Sequence, residues 1–260
     1  MKIKTNYISA VILTGILATV SPLVVLAQLS PKANLDSATA CYTSGRFADA
    51  LGYYDQVLIN GKESYELYFN MGNTAFRLNE LAQAVWFYEK ALRLKPGDED
   101  ATFNLGLINS RITDKIDQVP LLFYERWWRS FVNLFPPDTW SMVSLILLSL
   151  TGASLLLFFQ AGYMWQRKTG FWLSLTFGVL LVFSISFAWK GTQRIMNHNE
   201  AIIFATTVTA KSSPDASAVD LFVLHEGTKV GINDQIGEWL RIKIANGSVG
   251  WIKEKSLKRL

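Results

Sequence analysis

The sequence predicts a multidomain membrane protein with three parts: an all-α superhelix of repeats, a transmembrane helical hairpin and a small C-terminal all-β barrel. Three observations predict this class. A repeat of about 34 residues fills the first half, two uncharged apolar blocks lie between Trp140 and Trp189, and short β-branched runs with turns follow Ala201. Because each part has its own periodicity, the 260 residues are expected to form several domains.

The N-terminus has the composition of an export signal. Lys2 and Lys4 precede an apolar stretch, and Ala27 ends a short segment suited to signal peptidase. Residues 1–27 are therefore predicted to be a signal peptide. An uncleaved anchor is the alternative, and both interpretations place the following segment outside the cytoplasm.

The repeat is visible when the chain is aligned with itself. Residues 68–72 (YFNMG) recur as residues 102–106 (TFNLG), and Arg77 recurs as Arg111. Helix-turn-helix units of this length define the tetratricopeptide repeat, and residues 33–113 resemble that family. Five residues fall on its signature positions: Gly72, Ala84, Tyr88, Ala91 and Pro96.

The resemblance implies a tetratricopeptide-repeat domain over residues 28–117 with two and a half repeats. The last half-repeat is a single helix with Asp98 as its N-cap. Gly72 and Ala84 are expected where the two helices of one repeat cross, and Tyr88 between neighbouring repeats.

The family binds peptides on the concave face formed by the first helix of each repeat. The resemblance places seven residues on that face: Phe69, Asn73, Phe76, Arg77, Phe103, Leu107 and Arg111. Arg77 and Arg111, on equivalent turns, would bind carboxylates of a partner. The alternative is that the aromatic residues only pack and the arginines are only solvated.

Residues 118–137 are predicted to form an amphipathic interfacial helix, because polar residues recur on one side and aromatic residues on the other. Its membrane-interface residues are Arg126, Trp127, Trp128 and Arg129, which suit the headgroup layer. The alternative is that the aromatic side packs on the repeats.

Two transmembrane helices are predicted at residues 138–165 and 170–190, with a short cytoplasmic loop at 166–169 and a linker at 191–200. Both blocks reach the roughly 20 residues that a bilayer core requires. Apart from Asp138 and Lys190 at their ends, the two spans contain no Asp, Glu, Lys, Arg or His, which argues against a transporter or a channel.

The basic residues give conflicting signals about orientation. Arg167 and Lys168 favour a cytoplasmic loop, whereas other basic residues flank the opposite ends of the spans. The predicted export signal resolves this conflict, because an exported N-terminal region places the loop between the spans in the cytoplasm. Both soluble parts are predicted to face the periplasm from a bacterial inner membrane.

Residues 201–260 resemble a bacterial SH3-type (SH3b) barrel. The resemblance rests on Gly227, on residues 237–239 (GEW) and on residues 250–252 (GWI), and Asn246-Gly247 predicts a hairpin turn. It implies a groove for peptides or cell-wall polymers, with Trp239 and Trp251 as its candidates. The alternative is that these rings close the barrel core.

No catalytic, metal or cofactor motif is apparent. The single cysteine, Cys41, is expected in the core, and His225 beside Glu226 is expected to be a solvated strand end. His198 and His225 lie far from Cys41 in the sequence, so no thiol–imidazole pair is indicated. Residues 30–120 carry a net charge of −3, which argues against nucleic-acid binding. The chain is predicted to be non-enzymatic.

The order of the parts, with residues 126–129 (RWWR) before the spans, resembles the BatE-type proteins of the bacterial aerotolerance (Bat) group. That resemblance implies an envelope scaffold linked to aerotolerance or stress resistance. Its partners would be von Willebrand A-domain Bat membrane proteins and, indirectly, a MoxR-type AAA+ ATPase. The alternative functions are a peptidoglycan-binding tether or sensor and an assembly chaperone.

Overall fold

The computed structural model describes residues 31–116, 120, 122–196 and 199–260. The predicted signal peptide and His198 lie outside the described residues. The described helices are α1 Pro31–Thr43, α2 Phe47–Ile59, α3 Tyr65–Arg77, α4 Leu81–Leu94, α5 Glu99–Asn109, α6 Phe123–Val132, α7 Pro137–Gln160 and α8 Met164–Met196. The strands are β1 Glu200–Ile203, β2 Thr207–Lys211, β3 Asp220–His225, β4 Lys229–Ile236, β5 Trp239–Lys243, β6 Val249–Lys253 and β7 Leu257–Arg259.

Helices α1 to α5 form two helical pairs and a fifth helix, as the repeat spacing predicts. Gly72 allows the close crossing within the second pair, because an added Cβ would lie 2.9 Å from Cε1 of Tyr88. Tyr88 is buried against this glycine, so it packs within its own repeat as well as towards the next. Cys41 is buried in the same core.

Asp98 joins the second repeat to α5. Its carboxylate accepts hydrogen bonds from the backbone N–H of Ala101 at 3.0 Å and from the hydroxyl of Tyr65, and it pairs with Lys95 at 2.9 Å. Burial alone would raise the pKa of Asp98, but the bonds from Tyr65, Lys95 and Ala101 lower it to about 2. The predicted N-cap is therefore also a contact between repeats.

Helices α7 and α8 pack side by side as a hairpin. Their close crossing is at Gly170, where an added Cβ would lie 2.8 Å from the backbone nitrogen of Phe158. Ser144 donates a hydrogen bond to Ser184 at 2.9 Å across the pair. Both helices are long and apolar enough to cross a membrane, and only 6% of the most apolar stretch of α7 and 11% of that of α8 is buried.

The ends of the two long helices differ from the prediction. The break between them lies at residues 161–163, and the expected loop at 166–169 falls within the first two turns of α8. Arg167 and Lys168 end an apolar block, but neither residue type ends a helix. Helix α8 also continues through most of the expected linker, to Met196, because no proline intervenes to remove a backbone donor.

The strands form an antiparallel seven-stranded sheet in the order β3-β2-β6-β5-β4-β1-β7. Side chains from β1 to β6 meet in one apolar cluster, so the sheet bends around a single core. Strands β3 and β4 are separated by a turn at Gly227, whose φ is +85°. Gly247, with φ +92°, forms the predicted hairpin turn.

Strand β1 is buried on both faces. Ala201 and Ile203 point into the core of the sheet, whereas Ile202 belongs to the core of the repeats. Leu260, after β7, also packs into the repeat core. The helical repeats and the sheet therefore share a continuous apolar interface, which was not predicted from the sequence.

Candidate binding surfaces

The two arginines predicted on the concave face stack on aromatic rings of the preceding repeat. The guanidinium carbon of Arg77 lies 4.8 Å from the ring centre of Phe47, and that of Arg111 lies 4.8 Å from the ring centre of Phe76. Stacking covers one flat face of each guanidinium and leaves its N–H edges free to donate. Both arginines are also exposed to solvent. Their guanidinium groups are therefore held in place by the rings and remain accessible to a partner.

Asn73 and Phe69 take part in packing between the helices. The Oδ1 atom of Asn73 accepts hydrogen bonds from the hydroxyl of Tyr88 and, at 3.2 Å, from Nδ2 of Asn104. The ring of Phe69 meets that of Tyr88 edge-on at 5.8 Å. These two predicted contact residues therefore also hold the second repeat and α5 together.

Phe103 and Leu107 are the apolar residues that this surface exposes most. Phe103 is 72% exposed and Leu107 is 39% exposed. In the second repeat the equivalent ring, Phe69, is covered by Tyr88. The residue 34 positions after Tyr88 is Leu122, which is the N-cap of α6 rather than part of a second repeat helix. Phe103 is exposed because its covering helix is absent from the described part of the chain.

A hydrogen-bonded contact joins the segment after α5 to the sheet. Asp114 accepts hydrogen bonds from the backbone N–H of His225 and from the hydroxyl of Thr228, both at 2.7 Å, and its Oδ1 lies 2.7 Å from Nδ1 of His225. Burial alone would raise the pKa of Asp114, but the bonds from Thr228 and His225 hold it below its ordinary value. His225 ends a strand, as expected, but its ring is held by Asp114 rather than only solvated.

Helix α4 supplies further contacts of this interface from one stripe. Nε1 of Trp86 donates to the carbonyl of Arg259 at 2.8 Å, and Nζ of Lys258 lies 3.7 Å from the Trp86 ring centre. Further along α4, Glu89 pairs with Lys229 at 2.8 Å and Arg93 pairs with Glu200 at 3.1 Å. Residues 86, 89 and 93 are spaced three and four positions apart, as on one face of a helix. This spacing is the feature of the sequence that could have predicted that α4 packs against another part of the chain.

Trp239 and Trp251 lie on the same outer face of the sheet. Trp239 pairs with Lys253 and Trp251 pairs with Arg241 across β5 and β6, while Leu240 and Ile252 point inward. Direct and diagonal cross-strand neighbours share a face, so the two rings and the two cations form one half-exposed patch. Neither tryptophan is part of the buried core.

The predicted interfacial helix packs on the end of the apolar hairpin. The ring of Trp128 meets that of Phe187 of α8 at 4.9 Å, whereas Trp127 is 67% exposed. Arg126 and Arg129 line a shallow cleft beside Pro96 and Gly97 of the repeats. The polar side of α6 therefore faces the repeats, and the alternative in which its aromatic side packs there is wrong.

Within the described residues, no group of three or more His, Cys, Asp or Glu side chains has the arrangement to hold a metal ion.

Residues 65–98 match the family model of the tetratricopeptide repeat. Over 77 residues the chain is 32% identical to tetratricopeptide repeat protein 16 of Macaca fascicularis and of Homo sapiens, and 30% identical to that of Mus musculus. The match covers 30% of this chain but only 9–10% of these relatives. The chain contains a tetratricopeptide repeat, a structure typical of non-enzymatic modules that bind other proteins. It spans about a tenth of the length of these relatives.

Proposed function

We propose that this protein is a membrane-anchored, non-enzymatic scaffold whose repeats dock protein partners in a Bat-type envelope complex. The main support for this proposal is that the repeats and the sheet are packed together at one end of the apolar hairpin. Arg93 of α4 and Glu200 of β1 meet beside the C-terminal end of α8. One side of a membrane would then present both modules as a unit.

The hairpin supports the anchoring role. Helices α7 and α8 contain 24 and 33 residues, which is sufficient to cross a bilayer. Many large apolar side chains along both helices are exposed, and hydrocarbon is the environment that suits them. With an exported N-terminus, the repeats and the sheet face the periplasm of a bacterial inner membrane and residues 161–163 lie near the cytoplasm.

The docking surface is the patch formed by Phe103, Leu107, Arg77 and Arg111. It combines exposed apolar area with two stacked guanidinium groups, so it suits an acidic partner segment that also carries an apolar anchor. The resemblance to BatE-type proteins points to von Willebrand A-domain Bat proteins as direct partners and to a MoxR-type ATPase as an indirect one. The scaffold would then contribute to aerotolerance or stress resistance.

Co-purification from solubilised membranes tests this function. Phe103→Asp and the double change Arg77→Ala with Arg111→Ala should each remove a von Willebrand A-domain partner from the complex. Ile59→Asp, at a residue that is 70% exposed elsewhere on the repeats, is the matched control and should retain it. Unchanged partner recovery with the docking-surface variants would refute the scaffold role of this surface. Promiscuous capture of unfolded exported chains would indicate an assembly chaperone.

A reporter fused after Leu260 tests the orientation. The proposal requires activity of a periplasmic reporter. If only a cytoplasm-specific reporter were active, the proposed orientation would be wrong.

The tryptophan patch favours a second function, binding of peptidoglycan through an SH3b-like sheet. Trp239 and Trp251 offer apolar faces, and Arg241 offers donors for a polymer with carboxylates, whereas Lys253 is paired with Glu238 at 2.6 Å. The full chain in detergent should then sediment with purified cell wall, and Trp239→Ala with Trp251→Ala should abolish this. Trp165→Ala, at an exposed ring of the hairpin, is the control. Absence of sedimentation at low salt would exclude direct wall binding.

A further inference from the structure

A basic pocket lies where the repeats, α6, α8 and the sheet meet. Its volume is about 790 Å³, within the range of small-molecule sites. Among the described residues, five basic side chains line it, and they come from four separate elements: Arg93, Arg129, Lys190, Arg194 and Lys229. The carboxylates that line it in this part of the chain are those of Glu125 and Glu200.

The basic side chains fall into two groups. Arg93 and Lys229 are held by Glu200, and Lys229 also pairs with Glu89. Arg129, Lys190 and Arg194 form no ion pair with any carboxylate in the described part of the chain.

For Arg194, the structure instead shows an Nη1 hydrogen bond to Oδ1 of Asn133 at 3.1 Å. Three cations that line one pocket repel one another, and a bound anion would relieve that repulsion.

The apolar part of the pocket matches a lipid. Trp128, Tyr124 and Val132 of α6 line it beside the cations, and Trp128 rests on Phe187 in the apolar part of α8. Lys190 follows immediately after that apolar part, and Arg194 lies one helical turn further on. The pocket therefore extends from the end of the apolar hairpin towards the polar modules, which is the arrangement of a bilayer headgroup layer.

The distribution of charge makes these basic residues unusual. In the proposed orientation they lie on the periplasmic side, where the positive-inside rule disfavours lysine and arginine. Basic residues on this side do not favour the proposed orientation, so their presence needs another explanation. Binding of an anion at the membrane surface would explain it.

We infer that this pocket binds the phosphate of an anionic phospholipid headgroup. Arg129, Lys190 and Arg194 donate to the phosphate oxygens, and Trp128 packs beside the start of the acyl chains. The inference rests on the membrane anchoring proposed above. A soluble phosphate offers the same oxygens to the cations but lacks the apolar portion that Trp128 would contact.

Native mass spectrometry of the full chain in detergent tests the inference, with phosphatidylglycerol, phosphatidylcholine and inorganic phosphate as separate probes. The wild type should retain phosphatidylglycerol in preference to phosphatidylcholine, and inorganic phosphate at equal concentration should not displace it. Lys190→Gln with Arg194→Gln should weaken phosphatidylglycerol binding on the order of 30-fold. The matched control, Arg167→Gln with Lys168→Gln, removes one lysine and one arginine at the other end of α8 and should bind as the wild type does.

Several outcomes would overturn the inference. These are equal binding of the two lipids, retention of phosphatidylglycerol by the pocket variant, or an equal loss in the control variant. Displacement by inorganic phosphate would assign the pocket to a soluble phosphate instead. Alkaline carbonate extraction of membranes that contain the protein distinguishes a failure of the pocket inference from a failure of the anchoring proposal. A chain released by carbonate is not anchored, whereas an anchored chain without lipid preference refutes the pocket assignment alone.

Discussion

Asp114 and His225 connect the helical repeats to the β-sheet through two contacts of 2.7 Å, one to the backbone N–H of His225 and one to its ring. The carboxylate belongs to the segment after the last repeat helix, and the histidine ends β3. These residues are more than one hundred positions apart in the sequence. The contact therefore locates the sheet relative to the repeats.

Replacing Asp114 by asparagine should destabilise the protein at pH 7. The folded pKa of Asp114 lies below the unfolded value of about 3.9, so its carboxylate stabilises the folded state above that pH. This contribution is lost as the pH falls through the folded pKa. The difference in unfolding midpoint between wild type and variant, followed by intrinsic tryptophan fluorescence, should therefore shrink from pH 7 to pH 3. Exposed Asp36→Asn is the control, and a difference that grows in acid would contradict this account.

Ile202→Ala should destabilise the repeats even though Ile202 lies in a strand of the sheet. The side chain is fully buried in the repeat core, so its truncation should cost about 2–4 kcal/mol. Alkylation of buried Cys41 during a urea titration reports opening of that core. Ile236→Ala, at a strand residue that is 52% exposed, should have little effect. Equal effects of the two changes would show that the interface is not formed in solution.

Gly72→Ala and Gly106→Ala make the same change at equivalent positions of two repeats, but only the first should destabilise the protein. At Gly72 the new methyl group meets the ring of Tyr88, so a loss of about 1–3 kcal/mol is expected. Nothing lies within 4 Å of an added Cβ at Gly106. There alanine should be neutral or stabilise the helix by up to about 1 kcal/mol. Urea midpoints from Cys41 alkylation measure both, and a neutral Gly72→Ala would refute the close crossing.

Gly170→Leu should separate the two helices of the hairpin near residue 158. The first added atom already approaches backbone atoms of Phe158, which cannot turn away as a side chain can. Spin labels at Leu155→Cys and Leu173→Cys, in a Cys41→Ser background, should report a distance increase of several ångströms. Gly178→Leu adds the same side chain where nothing lies within 4 Å and should leave the distance unchanged. An unchanged distance in Gly170→Leu would show that the helices do not cross there.

Local patterns predicted most of the elements. The repeat spacing located the helical pairs, and Asp98 was predicted as the cap that it forms. The turn at Asn246-Gly247 was also predicted, because only a few residue types adopt positive φ there. Errors occurred where a charge was interpreted as a helix end, as at Arg167 and Lys168.

The predicted site residues were assigned from the register of the repeats, and register alone cannot show what covers a side chain. Phe69 and Phe103 occupy equivalent positions, yet Tyr88 covers the first and the second is exposed. Trp239 and Trp251 could not be assigned to the core or the surface until the strand pairing placed Leu240 and Ile252 inward.

By itself the sequence determined the kinds of structure along this chain, because helix, strand and apolar-span periodicities depend on neighbouring residues. Only the tertiary structure decided how these parts meet. The burial of Ile202 in the repeat core, the contact of Asp114 with His225 and the convergence of basic residues on one pocket join distant segments. Such contacts depend on the shape and charge of both surfaces together, and neither surface is visible in a local stretch of sequence.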